Sequence, residues 1–407
     1  MPQFQRFFHV DRPIAGKTVL QIIPALESGG AERTTLEIAE ALVAAGARAL
    51  VAAEGGRLVG ELQALGGEFH AFAAATKNPL AMAGNVGRLA NLIERQGVDI
   101  VHARSRAPAW VALGAARRAN VPFVTTYHGV YSDRNAIKTQ YNSVMAKGDR
   151  VIANSAFTAR HILERYPEAE GRIVTIHRGV DQKLFSPEAV DSDRVRALRE
   201  KWGAPPDQRI VLMPARLARR KGHRVLIDAA RIMREQGRHD VVFILAGDEQ
   251  RDAYPRELDR AIADNGLEGI VRRVGHCGDM PAALMSAGCV VAPAIEPEAF
   301  GRIAVEAQAM GVPVVVSDLG ASAETVVSPP DALPMQRTGW LVPSGNRHAL
   351  AMAIGEALDL RAAGRESLSL RARAHVRERF SVERMCAATL SVYESLLEPA
   401  FEAAPTG

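Results

Sequence analysis

The chain has 407 residues, too many for one ordinary core and suited to two large domains. Hydrophobic residues at 47% and charged residues at 24% are the proportions of a soluble globular protein. Its three cysteines, Cys277, Cys289 and Cys386, lack metal-site spacing, which argues against a zinc cluster or disulfide scaffold and for a reduced, cytoplasmic setting. No run of about 18 apolar residues predicts a membrane span. The opening "MPQFQRFFHVDRP" lacks the apolar core of a secretion signal. The net charge of +4 is uneven. Residues 1–185 hold 22 Lys and Arg against 16 Asp and Glu, a balance of +6 that suits an anionic lipid surface, a phosphorylated acceptor or nucleic acid.

Along the chain, "KTVLQIIPAL" (17–26) reads as a buried strand and "ESGGAER" as the turn after it. A helix follows, with Leu36, Ala39, Leu42 and Val43 at helical spacing, and it stops at Gly46. "RALVAAE", "NVGRLANLIERQG", "DIVHARS", "APAWVALGAARRAN", "PFVTTYHG" and "RVIANS" continue the alternation of strand and helix, the pattern of a parallel α/β sheet. Residues 186–208 break the rhythm and are expected to form a linker region. From 209 a second series begins: "RIVLMPARL", "HRVLIDAARIMREQG", "VVFILAG", "YPRELDRAIADNG" and "IVRRVGH", then "CVVAPA", "RIAVEAQAMG" and "PVVVSD". The sequence therefore predicts two doubly wound, Rossmann-like domains, 1–185 and 209–376, with the carboxyl ends of their strands facing across a cleft. A C-terminal helix within 377–407 is expected to pack back toward the first domain. Ser381 is its candidate cap, and Met385, Ala388, Val392 and Leu396 lie on one face.

Three segments can carry chemistry. "SGGAER" (28–33) puts Gly29 and Gly30 before a helix, where backbone amides can meet an anion, although neither the dinucleotide fingerprint nor the phosphate-loop lysine is present. "ARLARRKGH" (215–223) places Arg216 and Lys221 just beyond a strand, two fixed cations suited to a diphosphate. "EPEAFGRIAVEAQAMG" (296–311) sets Glu298 in a loop and Glu306 about a turn inside a helix closed by Gly311. The amides around Gly301 to Ile303 offer a phosphate site, and the two flanking carboxylates suit sugar hydroxyls. One Asp-x-Asp triplet, Asp191–Asp193, sits at a helix start, where Asp commonly caps; no metal role is expected for it.

Taken together, "SGGAER", "TTYHG", "ARLARRKGH", "ILAGDE", "VGHCGDMPAALMSAGCVVAPA" and "EAFGRIAVEAQAMGVPVVVSD" resemble, in order, the retaining glycosyltransferases of GT-B family 4. That family includes enzymes of lipopolysaccharide, glycolipid and exopolysaccharide assembly. The resemblance covers roughly residues 17 to 395. It implies that Glu298 contacts hydroxyls of the transferred sugar, that Glu306 binds the ribose, and that Arg216 and Lys221 neutralise the diphosphate. Backbone amides of Phe300, Gly301, Arg302 and Ile303 would touch sugar and phosphate, and Gly29 and Gly30 would close over the phosphates. Loops around Gly247 and His276 would hold the base, and His128 would face the donor sugar.

The implied reaction is hexosyl transfer from a nucleotide-diphosphate sugar to a glycolipid or lipid-linked glycan, without a metal cofactor and by front-face substitution. The acceptor would lie in the first domain, at the inner face of the cytoplasmic membrane. "RNAIKTQYNSVMAKGDR" (134–150), with Arg134, Lys138, Tyr141, Met145, Lys147 and Arg150, is the candidate membrane contact. A nucleotide-sugar 2-epimerase and a non-catalytic nucleotide-sugar binder are the competing readings. No stacking-aromatic pattern points to nucleic acid.

Overall fold

The computed structural model describes residues 12–27, 29–76, 78–131, 135–249 and 253–398. It comprises two compact units. The first runs to Arg178 and resumes at Val382; the second spans Gly179–Ser381.

Among the described residues the first unit forms a seven-stranded sheet. Its strands are β1 (Thr18–Ile22), β2 (Arg48–Ala53), β3 (Glu68–Ala71), β4 (Ile100–Ala103), β5 (Phe123–Tyr127), β6 (Arg150–Ala153) and β7 (Ile173–Thr175). They lie in the order β3-β2-β1-β4-β5-β6-β7, and every pair is parallel. The second unit has six strands: β8 (Arg209–Pro214), β9 (Val241–Ala246), β10 (Val271–Gly275), β11 (Ala287–Ala292), β12 (Val314–Ser317) and β13 (Trp340–Val342). Their order is β10-β9-β8-β11-β12-β13, again parallel throughout. Helices cover both faces of each sheet, so central strands such as β1 and β9 are buried along their whole length. Strand order reverses between β1 and β4 and between β8 and β11. Loops at the carboxyl ends there form the natural ligand crevice of each sheet. This is the two-domain α/β architecture that the sequence predicts.

The units part at places chosen by packing. The first ends ahead of the expected boundary at 185. The Val180 amide donates to the Phe380 carbonyl at 2.8 Å, and Val180, Phe185 and Phe380 all join the second unit's core. Segment 186–208, expected as a linker, is built into the second unit. Its helix Ser192–Lys201 is capped by Asp191, whose carboxylate accepts the Asp193 amide at 2.8 Å. Arg194 makes a forked contact with Asp279 at 2.7 and 2.9 Å, and Trp202 and Ala204 pack beside Ile210 and Leu212. The buried indole joins this segment to the second unit's core, while the forked pair lies at the surface.

Helix Val382–Leu397 belongs to the first unit, as expected, and packs along helix Gly30–Ala44. Met385, Cys386, Leu390, Val392 and Tyr393 are buried in one cluster with Leu36 and Leu42; Ala388 and Leu396 of the expected stripe are only partly covered. Only part of segment 134–150 faces outward. Arg134 lies outside the described residues. Met145 is fully buried, and the Lys147 ammonium sits 5.3 Å from the centre of the Trp110 ring. Lys138 and Ile137 face outward, Ile137 at 81% exposure. Among the described residues no helix is long and apolar enough to cross a membrane.

Leu390 is wholly buried, so Leu390→Ala is expected to lower stability by about 2–5 kcal/mol. Urea denaturation should show the lower midpoint without a change in slope.

Candidate active site

The second unit gathers most of the residues singled out from the sequence at the carboxyl edge of its sheet. After β8, Arg216 is exposed and makes no ion pair with a described residue. The chain then tightens into the turn Arg219–Lys221 and passes Gly222, which has φ +82°. A side chain at 222 would place its Cβ 1.8 Å from the Pro293 carbonyl oxygen, so only glycine lets this turn press against the exit of β11. The Ile295 amide seals that contact by donating to the Arg220 carbonyl at 2.9 Å. The result is an ion pair between the Lys221 ammonium and the Glu298 carboxylate, whose side chains are 23% and 14% exposed. The cation expected for a diphosphate and the acid expected for sugar hydroxyls are thus partners.

Glu298 is held on its other side by the backbone. It bridges to Gly320, and its carbonyl accepts the Ala321 amide at 3.0 Å. Gly301, at φ +76°, turns the chain into helix Arg302–Ala309, and Gly311, at φ +67°, closes it as expected. The first amides of that helix carry the positive end of its dipole. The Phe300 ring is buried and meets Phe380 edge-on at 5.7 Å, so the role implied for Phe300 is one for its backbone. Glu306, 8% exposed, takes its ion pair from Arg302 one turn earlier at 3.1 Å. Burial pushes the Glu306 carboxyl above the usual range, and Arg302 opposes that only in part.

Gly247, after β9, is fixed by a 2.8 Å hydrogen bond from its amide to the Gly275 carbonyl. A Cβ there would lie 2.0 Å from the Ala215 carbonyl oxygen, so the loops after β8 and β9 are in backbone contact. His276 follows β10 with Nδ1 3.0 Å from the Asp248 carboxylate, and both side chains are exposed.

In the first unit, Gly29 caps helix Gly30–Ala44. The Glu32 carboxylate folds over it: a Cβ at Gly29 would meet Glu32 Oε2 at 2.2 Å. The helix tip expected to attract an anion therefore already carries one from its own first turn. His128 stands just beyond β5. Arg178 Nη2 donates to its Nδ1 at 2.8 Å, which leaves the proton on Nε2. Burial, followed by the Arg178 charge, holds the imidazole well below its ordinary pKa, so it is neutral.

Around His128 lies a polar network that sequence reasoning missed. Arg104, 3% exposed, donates from Nε to Gln21 Oε1 at 2.7 Å. Gln21 Nε2 in turn donates to the Thr35 carbonyl at 3.1 Å. His102 is fully buried, with Nδ1 2.6 Å from the Tyr393 hydroxyl and Nε2 2.7 Å from Thr126 Oγ1. Burial keeps His102 neutral and raises the Tyr393 hydroxyl. The signal was present: "VHARS" puts a histidine and an arginine on alternate positions of an otherwise apolar strand.

Residues 28–184 match the family described as Glycosyltransferase Family 4, and residues 195–375 match the glycosyl transferases group 1 family. A glycosyltransferase of Rickettsia africae superposes with a TM-score of 0.85 at 34% identity, over 94% of this chain and 99% of that one. The chain belongs to glycosyltransferase family 4. Anabaena HepE, solved in complex with UDP-glucose, is similar at 25% identity with a TM-score of 0.75, over 92% of this chain and 99% of HepE. Among curated relatives, a D-inositol 3-phosphate glycosyltransferase of Catenulispora acidiphila is 32% identical over 241 residues, 54% of this chain and 56% of that protein. The match spans 56% to 66% of the length of the first three such relatives.

The left-handed turn at Gly222 is a sharp constraint on this family 4 chain. Gly222→Ala is expected to cost about 1–2 kcal/mol from conformation alone, before the clash with Pro293 is counted. A thermal melt with no loss of stability would refute that account of the turn.

Proposed function

We propose that this protein transfers a hexosyl group, with retention, from a nucleotide-diphosphate sugar to a hydroxyl of an envelope glycolipid or lipid-linked glycan, without a metal cofactor. The observation that carries the reading is the Lys221–Glu298 pair beside the tip of helix Arg302–Ala309. A cation, a carboxylate and a helix dipole converge where the strand order reverses. The donor's diphosphate enters as the anion that Lys221, Arg216 and the helix amides jointly balance. Glu298, steadied by Lys221, accepts hydrogen bonds from hydroxyls of the sugar. Glu306 accepts those of the ribose, and the loops at Gly247 and His276 flank the base. Gly29, Gly30 and His128 of the first unit take the roles that the resemblance implies.

In the reaction the anomeric C–O bond breaks and its electron pair stays on the diphosphate oxygen. The acceptor hydroxyl oxygen bonds to the anomeric carbon on the same face. Its proton passes to the departing phosphate. Fixed cations and oriented amides stabilise the charge that builds on the leaving group, an effect usually worth several kcal/mol. A carboxylate nucleophile is not required, and the engagement of Glu298 with Lys221 fits a holding role. The names of the curated relatives point to a phosphorylated polyol among family acceptors, while the exposed Ile137 and Lys138 support contact with a lipid surface.

A panel of UDP-, GDP- and ADP-sugars should yield one that raises Tm and is turned over in the presence of a chelator. Lys221→Ala is expected to retain the fold and lose about 10²–10³-fold in kcat. Unaltered turnover in that variant, or activity that depends on added magnesium or manganese, would reject the proposal. Donor binding should weaken on acidification at a pH above 4.5, the ordinary glutamate value, because protonated Glu306 no longer accepts from two hydroxyls. In Glu306→Gln that acid limb should disappear from binding titrations.

A further inference from the structure

β3 is the outer strand of the first sheet and pairs only with β2. The helix after it, Pro79–Gln96, packs inward through Leu89 and Ile93. Between the flank of that helix and β3 runs a groove of about 500 Å³, within the size range of small-molecule sites. His70 and Phe72 line it from the strand, and Asn85, Arg88, Leu92 and Arg95 from the helix. The four helical residues recur at intervals of three and four, so they share one face. The charges here are of one sign. No Asp or Glu lines the groove, and Glu68 of β3 is gripped by Arg48 in a forked contact at 2.9 and 3.1 Å. Among the described residues Arg95 has no hydrogen-bond or ion-pair partner. Arg88 has one, donating from Nη2 to Asn85 Oδ1 at 2.5 Å. Asn85 is 1% exposed and is itself fixed by donating from Nδ2 to the Ala73 carbonyl at 2.9 Å. A buried amide thus ties one guanidinium to the groove wall and leaves most of its N–H groups for a ligand. The helix dipole favours Arg95, in the last turn, but does nothing for Arg88 at mid-helix.

We propose that this groove is a second binding site, for a small phosphate ester such as a sugar phosphate, and that its occupant takes no part in the transfer reaction. Arg88 and Arg95 stand two turns apart on one face, so their long side chains close on a common phosphate from either side, with His70 opposite. A phosphomonoester brings close to two negative charges and three acceptor oxygens, which matches two forked cations better than a single carboxylate does. Phe72 and Leu92, both partly buried, give the organic body an apolar wall. A bilayer calls for a protruding basic face; here the cations flank a concavity that a discrete molecule can enter. β2 lies between the groove and the crevice beside β1, which separates this ligand from the reacting ones. The inference does not depend on the proposed reaction.

Hydrogen exchange on the full chain locates the ligand without any need for turnover. Glucose 6-phosphate, compared with glucose plus chloride at matched ionic strength, is expected to slow amide exchange in residues 70–73 and 85–95. Inorganic phosphate should do so more weakly. Both arginines are exposed, so Arg88→Gln with Arg95→Gln should keep the unliganded Tm. That double variant should weaken glucose 6-phosphate binding at least about 10-fold by calorimetry. It should also keep the Tm rise caused by a nucleotide sugar. Lys221→Ala should retain the protection at 70–73 and 85–95, since phosphate held at the active site would protect other segments. Absence of protection by both phosphate compounds overturns the proposal, as does protection that survives in the double variant or is lost in Lys221→Ala. Protection by inorganic phosphate alone would make the groove a free-anion site and overturns the ester assignment. Protection by phosphatidylglycerol vesicles or by a polyglutamate peptide, but not by glucose 6-phosphate, would assign the groove to a membrane or a protein and equally overturns it.

Discussion

An ammonium and a carboxylate joined beside a helix tip set the character of the second unit. The Lys221–Glu298 pair exists because two backbone segments touch where no side chain would fit, at Gly222 against Pro293. The loops after β8 and β11, from strands that are neighbours in the sheet but about 80 residues apart in sequence, are thereby held as one piece. Gly247 and Gly320 repeat the device against Ala215 and Glu298. Three close backbone approaches fix the positions of the charges, which a site built for electrostatic stabilisation needs. The pair also limits how either partner behaves alone: removing Lys221 leaves a mostly buried carboxylate without its cation, and removing Glu298 leaves the converse.

The first unit solves a different problem. His128 shares a pocket with His102, Arg104 and Thr126, and buried polar groups run from Thr35 through Gln21 to Arg104 and from Tyr393 through His102 to Thr126. Most members are satisfied, as buried polar groups must be. Arg104 Nη2 and His128 Nε2, whose residues line one pocket, are exceptions among the described residues.

Much of this was legible in the sequence. Apolar runs separated by helical periodicity gave both sheets, and glycine with φ above zero at 301 and 311 was inferable from the turn and cap positions. The group of Arg216, Lys221, Glu298 and Glu306 was recognisable because each lies just past a strand or at a helix start. Other features were hidden because they depend on pairing between distant segments. "VHARS" reads as a strand, but nothing local says that His102 faces a tyrosine 291 positions later or that Arg104 meets Gln21 of β1. The fate of residues 186–208 was hidden likewise: Trp202 looks like any linker residue until Ile210 and Leu212 lie beneath it. Met145, expected at the surface, is covered by elements distant in sequence, among them β5 with Phe123.

The first unit is assembled from two stretches of chain, with the whole of the second between them. During synthesis its sheet emerges first, yet the cluster around Leu36 and Leu42 lacks Met385, Leu390 and Tyr393 until residues 382–397 leave the ribosome. His102 likewise waits for its tyrosine. A nascent chain can therefore complete the fold of the second unit while the first still exposes an apolar face. The opening part of the gene is the last to mature, and chaperone dependence should concentrate in that interval.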